Sequence, residues 1–297
     1  IEKDHPAVVK GKAGSPYAIK DYYDIDPDIA EDVPNRMKEF EELVKRTHDN
    51  GMKVIIDFVP NHVARQYHSD VKPQGIEDFG VGDDPNMMFA PNNNFYYITR
   101  QVFSPHFDLG SGKDAYFEFP AKATGNDCFS AFPSVNDWYE TVKLNYGVDY
   151  GNGSRHFDPI PDTWFKMVNI LRFWASKGID AFRCDMVFMV PVEFWGWAIP
   201  LVKEKYPHIK RIYVRSAYQY IPDWYEDSLL KYYEDTYFPE QIENSGKASY
   251  VERNQEMINK SDFCVIYYDE NYLPPRRRNG KRDLTDYQPK SGTKVAY

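Results

Sequence analysis

GIDAFRCD, residues 178–185, reads as the end of a helix, a short buried strand, and an Arg and an Asp two residues apart at the strand's carboxyl end. Residues i and i+2 of a strand project to the same side, so Arg183 and Asp185 can meet. A guanidinium beside a carboxylate favours the ionised form. Eight residues leave two readings open: a structural ion pair, or an oriented carboxylate held ready for nucleophilic chemistry. A second stretch, far upstream, tips the balance toward the latter.

Working outward from 178, the preceding helix begins at Asp162 and places Trp164, Met167, Ile170, Leu171 and Trp174 on one face, with Gly178 closing it. A similar unit lies earlier. Asp32 and Pro34 open a helix with an apolar stripe of Met37, Phe40, Val44 and Thr47, its acidic residues toward the start and Lys45 and Arg46 toward the end. Gly51 ends it, and the apolar run Lys53–Val59 follows as a buried strand that finishes in DFVPNHV. Between the two units, from Ala64 to about Pro161, the chain is polar, aromatic and rich in Gly, Pro and Asn. That is too long for a plain connection and reads as an inserted subdomain over 62–161. Helix, strand, insertion, helix, strand is the grammar of an α/β barrel, whose chemistry sits at the carboxyl ends of the strands. Pro191–Lys205, with Phe194, Trp195 and Trp197, reads as the next helix. Beyond it, Arg211–Arg215 reads as a strand, Asp223–Glu234 and Lys247–Lys260 as helices, and Asp262–Tyr268 as a buried strand. SGTKVAY, at the end, has the form of a short phosphate-binding turn.

Composition narrows the function classes. At 297 residues there is room for one large or two modest domains. The 24 Tyr, 19 Phe and 6 Trp supply flat faces that suit sugar rings as well as a core. A net charge of -9, from 45 acidic and 36 basic residues, argues against a nucleic-acid partner. The one basic run, Arg276–Arg282, reads as a solvated loop. Cys128, Cys184 and Cys264 are odd in number and lack metal-ligand spacing, so they read as reduced thiols, which favours a cytoplasmic location, with Cys184 turned away from the Arg183–Asp185 face. No stretch is long and apolar enough to span a membrane. No signal peptide is visible, and the chain starts at Ile1 without Met, which reads as a missing true N-terminus. The oligomeric state is left open.

Residues 1 to about 207 resemble glycoside hydrolase family 13, the α-amylase family. DFVPNH, Asp57–His62, is similar to the family's first signature, at the end of its third barrel strand, and GIDAFRCD to the second, at the end of the fourth. GSPYAIKDYYDIDP is similar to the segment after the second strand, and the insertion then corresponds to subdomain B. The resemblance implies an α/β fold: a partial (β/α)8 barrel of the amylase type carrying that subdomain. It implies Asp185 as nucleophile, Arg183 as its orienting cation, His62 as a ligand of sugar hydroxyls, Asp57 as a brace and Tyr17 as a stacking platform. Asn61 matches a position that binds calcium in many members, which makes calcium the implied metal. The implied chemistry is double displacement at an α-glucosidic bond of a starch-like glucan or maltooligosaccharide.

The departures are as specific as the matches. Where the family presents a Glu as general acid/base, this sequence reads IYVRSAYQY, with Ser216 or Ala217 at the position. The family's later His-Asp pair has no counterpart, and the first two barrel strands would precede Ile1. From Ile209 to Tyr297 the sequence instead resembles the YpsA-like branch of the SLOG superfamily, a Rossmann-like group. On that resemblance Arg253 and Asn254, with Gly292 and Thr293, form a nucleotide-type binding site. The chain therefore reads as a hybrid joined near His208, with domains 1–207 and 208–297. Its alternatives to a glycosidase are a non-catalytic nucleotide- or sugar-binding protein and a chimeric chain without function.

Overall fold

The computed structural model describes residues 3–209, 212–214, 231 and 235–237. The chain divides into two compact units, one of Ile1–Asp49 with Val54–Ile209 and the other of Asn50–Lys53 with Lys210–Tyr297.

In the first unit, helix α1 (Arg36–Asp49) precedes strand β1 (Ile55–Phe58), and helix α2 (Asp162–Ser176) precedes strand β6 (Ala181–Cys184). The insertion between them holds two small antiparallel pairs, β2 (His62–Ala64) with β5 (Thr141–Lys143) and β3 (Tyr97–Ile98) with β4 (Ala121–Lys122). Helix α3 (Val192–Lys203) follows β6. Strands β1 and β6 are parallel neighbours, with Ile55 opposite Ala181 and Asp57 opposite Arg183. Parallel neighbours need a crossover of a dozen residues or more, and here it includes the whole insertion and α2.

The helices form where the periodicity places them. Trp164, Met167, Ile170, Leu171 and Trp174 of α2 are all buried. A fully buried side chain of this size stabilises the fold by roughly 1.5–3 kcal/mol, far more than helix propensity supplies. Gly178 leaves α2 at φ 87°, in the left-handed region, and Gly51 follows α1 at φ 74°. From α1, Val44 is buried, with Met37 and Phe40 packed against the same core. The α2–α3 contact is aromatic: Trp164 meets Phe194 and Trp197, each with ring centroids 5.6 Å apart. The loop Ile19–Asp26 is ordered by Trp174, whose Nε1 donates to the Tyr22 carbonyl at 2.7 Å.

In the second unit, β7 (Ile212–Val214) pairs in parallel with β8 (Asp235–Tyr237), Ile212 opposite Asp235. Strand β7 falls inside the expected strand Arg211–Arg215. The other expectations for the tail lie outside the described residues: the helices Asp223–Glu234 and Lys247–Lys260, the strand Asp262–Tyr268, Cys264, the basic run and the Rossmann-like architecture itself.

Candidate active site

The β1–β6 register fixes the site. Asp57 and Arg183 are direct partners across the pair, so their side chains leave the same face. Asp185 extends the ladder by one bond, its N–H donating to the Phe58 carbonyl at 2.8 Å. The Arg183 guanidinium then reaches both carboxylates: Nη1 lies 3.0 Å from Asp185 Oδ1 and 3.6 Å from Asp57 Oδ2. The Asp185 side chain is the most buried of the three, at 15% exposure against 38% for Arg183 and 48% for Asp57. Burial raises the Asp57 carboxyl above its ordinary value; the Arg183 charge opposes that rise and the Asp185 charge adds to it. Cys184 packs against the core, where burial pushes its thiol up to about 12. Met186, directly after Asp185, adopts φ 49°. A non-glycine residue in this region is held there by its surroundings, and it turns the chain sharply away from the strand.

The loop that carries Asn61 and His62 is held by two buried tyrosines. The Tyr22 hydroxyl donates to the Val59 carbonyl and the Tyr146 hydroxyl to that of Pro60, at 2.7 Å in the second case. Trp164 Nε1 in turn donates to the Tyr146 carbonyl at 3.1 Å, which ties helix α2 to the loop. Asn61 and His62 are both buried. Asn61 Nδ2 donates to the Gly125 carbonyl at 2.7 Å and lies 3.1 Å from His62 Nδ1. The His62 ring packs edge-to-face on Trp138, centroids 5.3 Å apart, and is hydrogen-bonded to the Tyr17 backbone. Burial and then the Lys143 charge lower the His62 imidazole to about 4, against the opposing pull of the Tyr17 hydrogen bond. His62 is therefore a neutral hydrogen-bonding group at neutral pH. Tyr17 itself is 38% exposed, so its backbone meets His62 while its ring has access to solvent.

Several residues at this site carry no sequence signal. Lys143, on β5, is almost fully buried, and its ammonium donates to Asn61 Oδ1. Gly125 lies so close that a Cβ would sit 2.4 Å from Thr141 Oγ1 and 3.0 Å from His62 Cβ. Trp138 and Asp127 come from irregular backbone of the insertion. Lys143 gives no clue in the sequence either, since in TVKLNY it falls on the polar phase of the alternation with Thr141 and Asn145.

Other groups are engaged elsewhere. Glu193, the first acidic residue after Asp185, pairs with Arg155 on the surface of α3. Asp21, Asp24 and Asp70 stand close enough together to bind a cation. However, Asp24 grips the Arg36 guanidinium, and Asp21 accepts the backbone N–H groups of Tyr23 and Asp70. Cys128 and Cys184 are free thiols. Ser216, Ala217, Arg253, Asn254, Gly292 and Thr293 lie outside the described residues. Among the described residues no helix is long and apolar enough to cross a membrane.

Known proteins resemble this chain over part of its length. The alpha-amylase catalytic-domain family matches residues 6–103, which include Tyr17, Asp57, Asn61 and His62. The chain is 27% identical over 178 residues to the amino acid transporter heavy chain SLC3A1 of Homo sapiens, covering 58% of this chain and 21% of that protein. It is 24% identical over 229 residues to an alpha-glucosidase of Culex pipiens (73% and 33% covered), and 25% identical over 181 residues to maltase A2 of Drosophila melanogaster (58% and 25%). The chain thus spans a fifth to a third of the length of these relatives. Among solved structures it overlaps an alpha-amylase from Lactobacillus plantarum with a TM-score of 0.46 and 24% identity, covering 85% of this chain and 47% of that one. Over residues 6–103 the chain thus resembles the α-amylase family, and the proteins it is similar to include glycosidases and a transporter heavy chain.

Proposed function

We propose that Asp185, Arg183, Asp57, His62 and Tyr17 form the nucleophile half of a retaining site for α-glucosidic bonds in starch-like glucans or maltooligosaccharides. One observation carries this reading: a single guanidinium, at the carboxyl ends of two parallel strands, holds Asp185 and Asp57 together. Arg183 binds Asp185 Oδ1 and so orients Oδ2 as the attacking oxygen. Oδ2 bonds to the anomeric carbon as the glycosidic C–O bond breaks, giving a glycosyl ester that water then hydrolyses. His62, neutral and fixed by Asn61, supports the Tyr17 backbone, and Tyr17 offers an exposed ring to the sugar face.

The departing oxygen must be protonated, and a retaining site places the acid about 5–5.5 Å from the nucleophile. The sequence puts Ser216 or Ala217 where the family has Glu, and a serine hydroxyl is far too weak an acid. Glu193 is committed to Arg155. Loss of a general acid costs about 10²- to 10⁴-fold, so the chain is impaired on unactivated glucans while its nucleophile survives. The test is turnover of an aryl α-maltoside, whose leaving group needs no acid, beside maltoheptaose. Cleavage of the aryl maltoside alone, abolished in Asp185→Asn, is the expected result. Efficient cleavage of maltoheptaose would sink the impairment, and no cleavage of either would sink the nucleophile.

The substitution at 216–217 also favours a second, non-catalytic reading, in which the cleft binds sugar or the tail binds a nucleotide-type ligand through Arg253, Asn254, Gly292 and Thr293. One relative, named as a transporter heavy chain rather than a glycosidase, is in line with it. A thermal-shift comparison of maltoheptaose with nucleotides separates the two ligand classes.

A further inference from the structure

Asn61 is the residue at which the family resemblance implies calcium, and its surroundings do not fit that ion. Three oxygens converge beside it: its own Oδ1, Asp127 Oδ1 and the carbonyl of Met189. All three face the Lys143 ammonium, which lies 2.7 Å from Asp127 and 3.3 Å from Met189 and donates to Asn61. Only 2% of the Lys143 side chain is exposed, and the Tyr150 ring closes the cage with its centroid 5.6 Å from Nζ. An ammonium has three protons to donate and one positive charge. The cage supplies two hydrogen-bond acceptors, Asn61 Oδ1 and the Met189 carbonyl, and one carboxylate in ion-pair contact, so the single charge balances. Calcium takes six to eight oxygens at about 2.3–2.6 Å and is held by more than one carboxylate in its tighter sites. Asp127 is held in the left-handed region, at φ 62°, with its carboxylate in the cage.

The three oxygens come from separate stretches: the loop after β1, a turn of the insertion, and the segment just beyond Asp185. We infer that the Lys143 ammonium is a built-in cation that pins the insertion against the two loops of the site, so that the chain holds its site without calcium. The corollary is that shortening Lys143 to alanine empties the cage, so that calcium can take the same three oxygens and complete its shell with the water that fills the vacated space. This inference rests on the cage alone and stands whether or not Asp185 is catalytic.

The experiment uses the full chain, with calcium and terbium as probes. The wild type should show the same thermal midpoint in EDTA and in millimolar calcium, and no saturable terbium emission sensitised through the neighbouring Tyr150 ring. Lys143→Ala should gain both responses: saturable terbium emission displaced by calcium, and a midpoint raised by roughly 2–4 °C or more at saturating calcium. Adding Asn61→Ala should remove both. Lys143→Met, which refills the volume without a charge, should gain neither. Saturable terbium or calcium binding to the wild type that is lost in Asn61→Ala would overturn the inference, as would a folded Lys143→Ala that ignores calcium. If Lys143→Ala does not fold, the wild-type arm decides: indifference to calcium supports the built-in cation, and binding at Asn61 refutes it.

Discussion

Arg183 and Asp185 are joined by a hydrogen bond of 3.0 Å, Nη1 to Oδ1, across two residues of one strand end. The same nitrogen stands 3.6 Å from Asp57 on the neighbouring strand. The pairing follows from the side-chain period of a strand and from a register that sets Asp57 against Arg183. Without the guanidinium, two carboxylates would share one end of a small sheet.

Removing that cation should cost activity more than fold. Arg183 is partly exposed, so Arg183→Ala should change stability little, yet leave Asp185 unoriented and facing Asp57. By analogy with the loss of one oriented electrostatic partner, kcat/KM on an aryl α-glucoside should fall about 10²- to 10³-fold. Steady-state kinetics beside a thermal melt distinguishes this from unfolding, which would lower both together.

A second prediction concerns the insertion. Arg65 is fully buried, with Nη1 2.7 Å from Glu118, Nε donating to the Tyr139 carbonyl and the Phe103 ring 4.2 Å from its guanidinium carbon. Burial would raise the Glu118 carboxyl, but the charges of Arg65 and Lys122 and the Tyr116 hydroxyl hold it below its ordinary value. Breaking a buried pair on one side leaves an uncompensated charge, so Glu118→Gln or Arg65→Met should each destabilise by about 3–5 kcal/mol in urea. The double variant Arg65→Met with Glu118→Leu should be less unstable than the two singles added together.

His62 gives a pH dependence. Its folded value of about 4 lies below the ordinary 6.5, so between these the unfolded chain takes up a proton that the folded chain refuses. The stability attached to neutral His62 is whole above pH 6.5 and is lost as pH falls toward 4, in total roughly 3 kcal/mol at about 1.36 kcal/mol per unit. Denaturant melts at stepped pH should show this loss shrinking in His62→Asn. An equal slope in wild type and variant would contradict it.

Gly125→Ala should destabilise the insertion by roughly 1–3 kcal/mol, as overpacking does, since the new methyl would press on Thr141 Oγ1 and the base of His62. Displacement of His62 should also raise KM for maltooligosaccharides, which kinetics on the folded variant would detect.

The part of this fold legible in sequence was the part with a period. Helix α2 and strand β6, like α1 and β1, announced themselves through apolar spacing ended by Gly178 and Gly51, and the two motif ends then had to meet. Arg183 and Asp185 were legible from strand spacing, whereas Asp57, Asn61 and His62 were legible only through the resemblance of DFVPNH to a family signature. Asp127, Gly125 and Trp138 were not legible, because the insertion places them by loop geometry, and Lys143 was not, because on β5 it continues the polar phase set by Thr141. The Lys143–Asn61 contact spans 82 residues of sequence with no pattern linking its ends. The tyrosine anchors Tyr22 and Tyr146 were hidden for the same reason, lying in aromatic-rich loops where any tyrosine is an equal candidate.

The most direct measurement of the central claim is covalent trapping. A 5-fluoro-α-glucosyl fluoride brings a leaving group that needs no acid and forms an ester that hydrolyses slowly. Intact-mass and peptide analysis of the treated chain should show one added glycosyl group per chain, on the peptide that carries Asp185, absent from Asp185→Asn and slower to form in Arg183→Ala. No adduct on the folded wild type, or an adduct that persists in Asp185→Asn, would show that Asp185 is not the nucleophile.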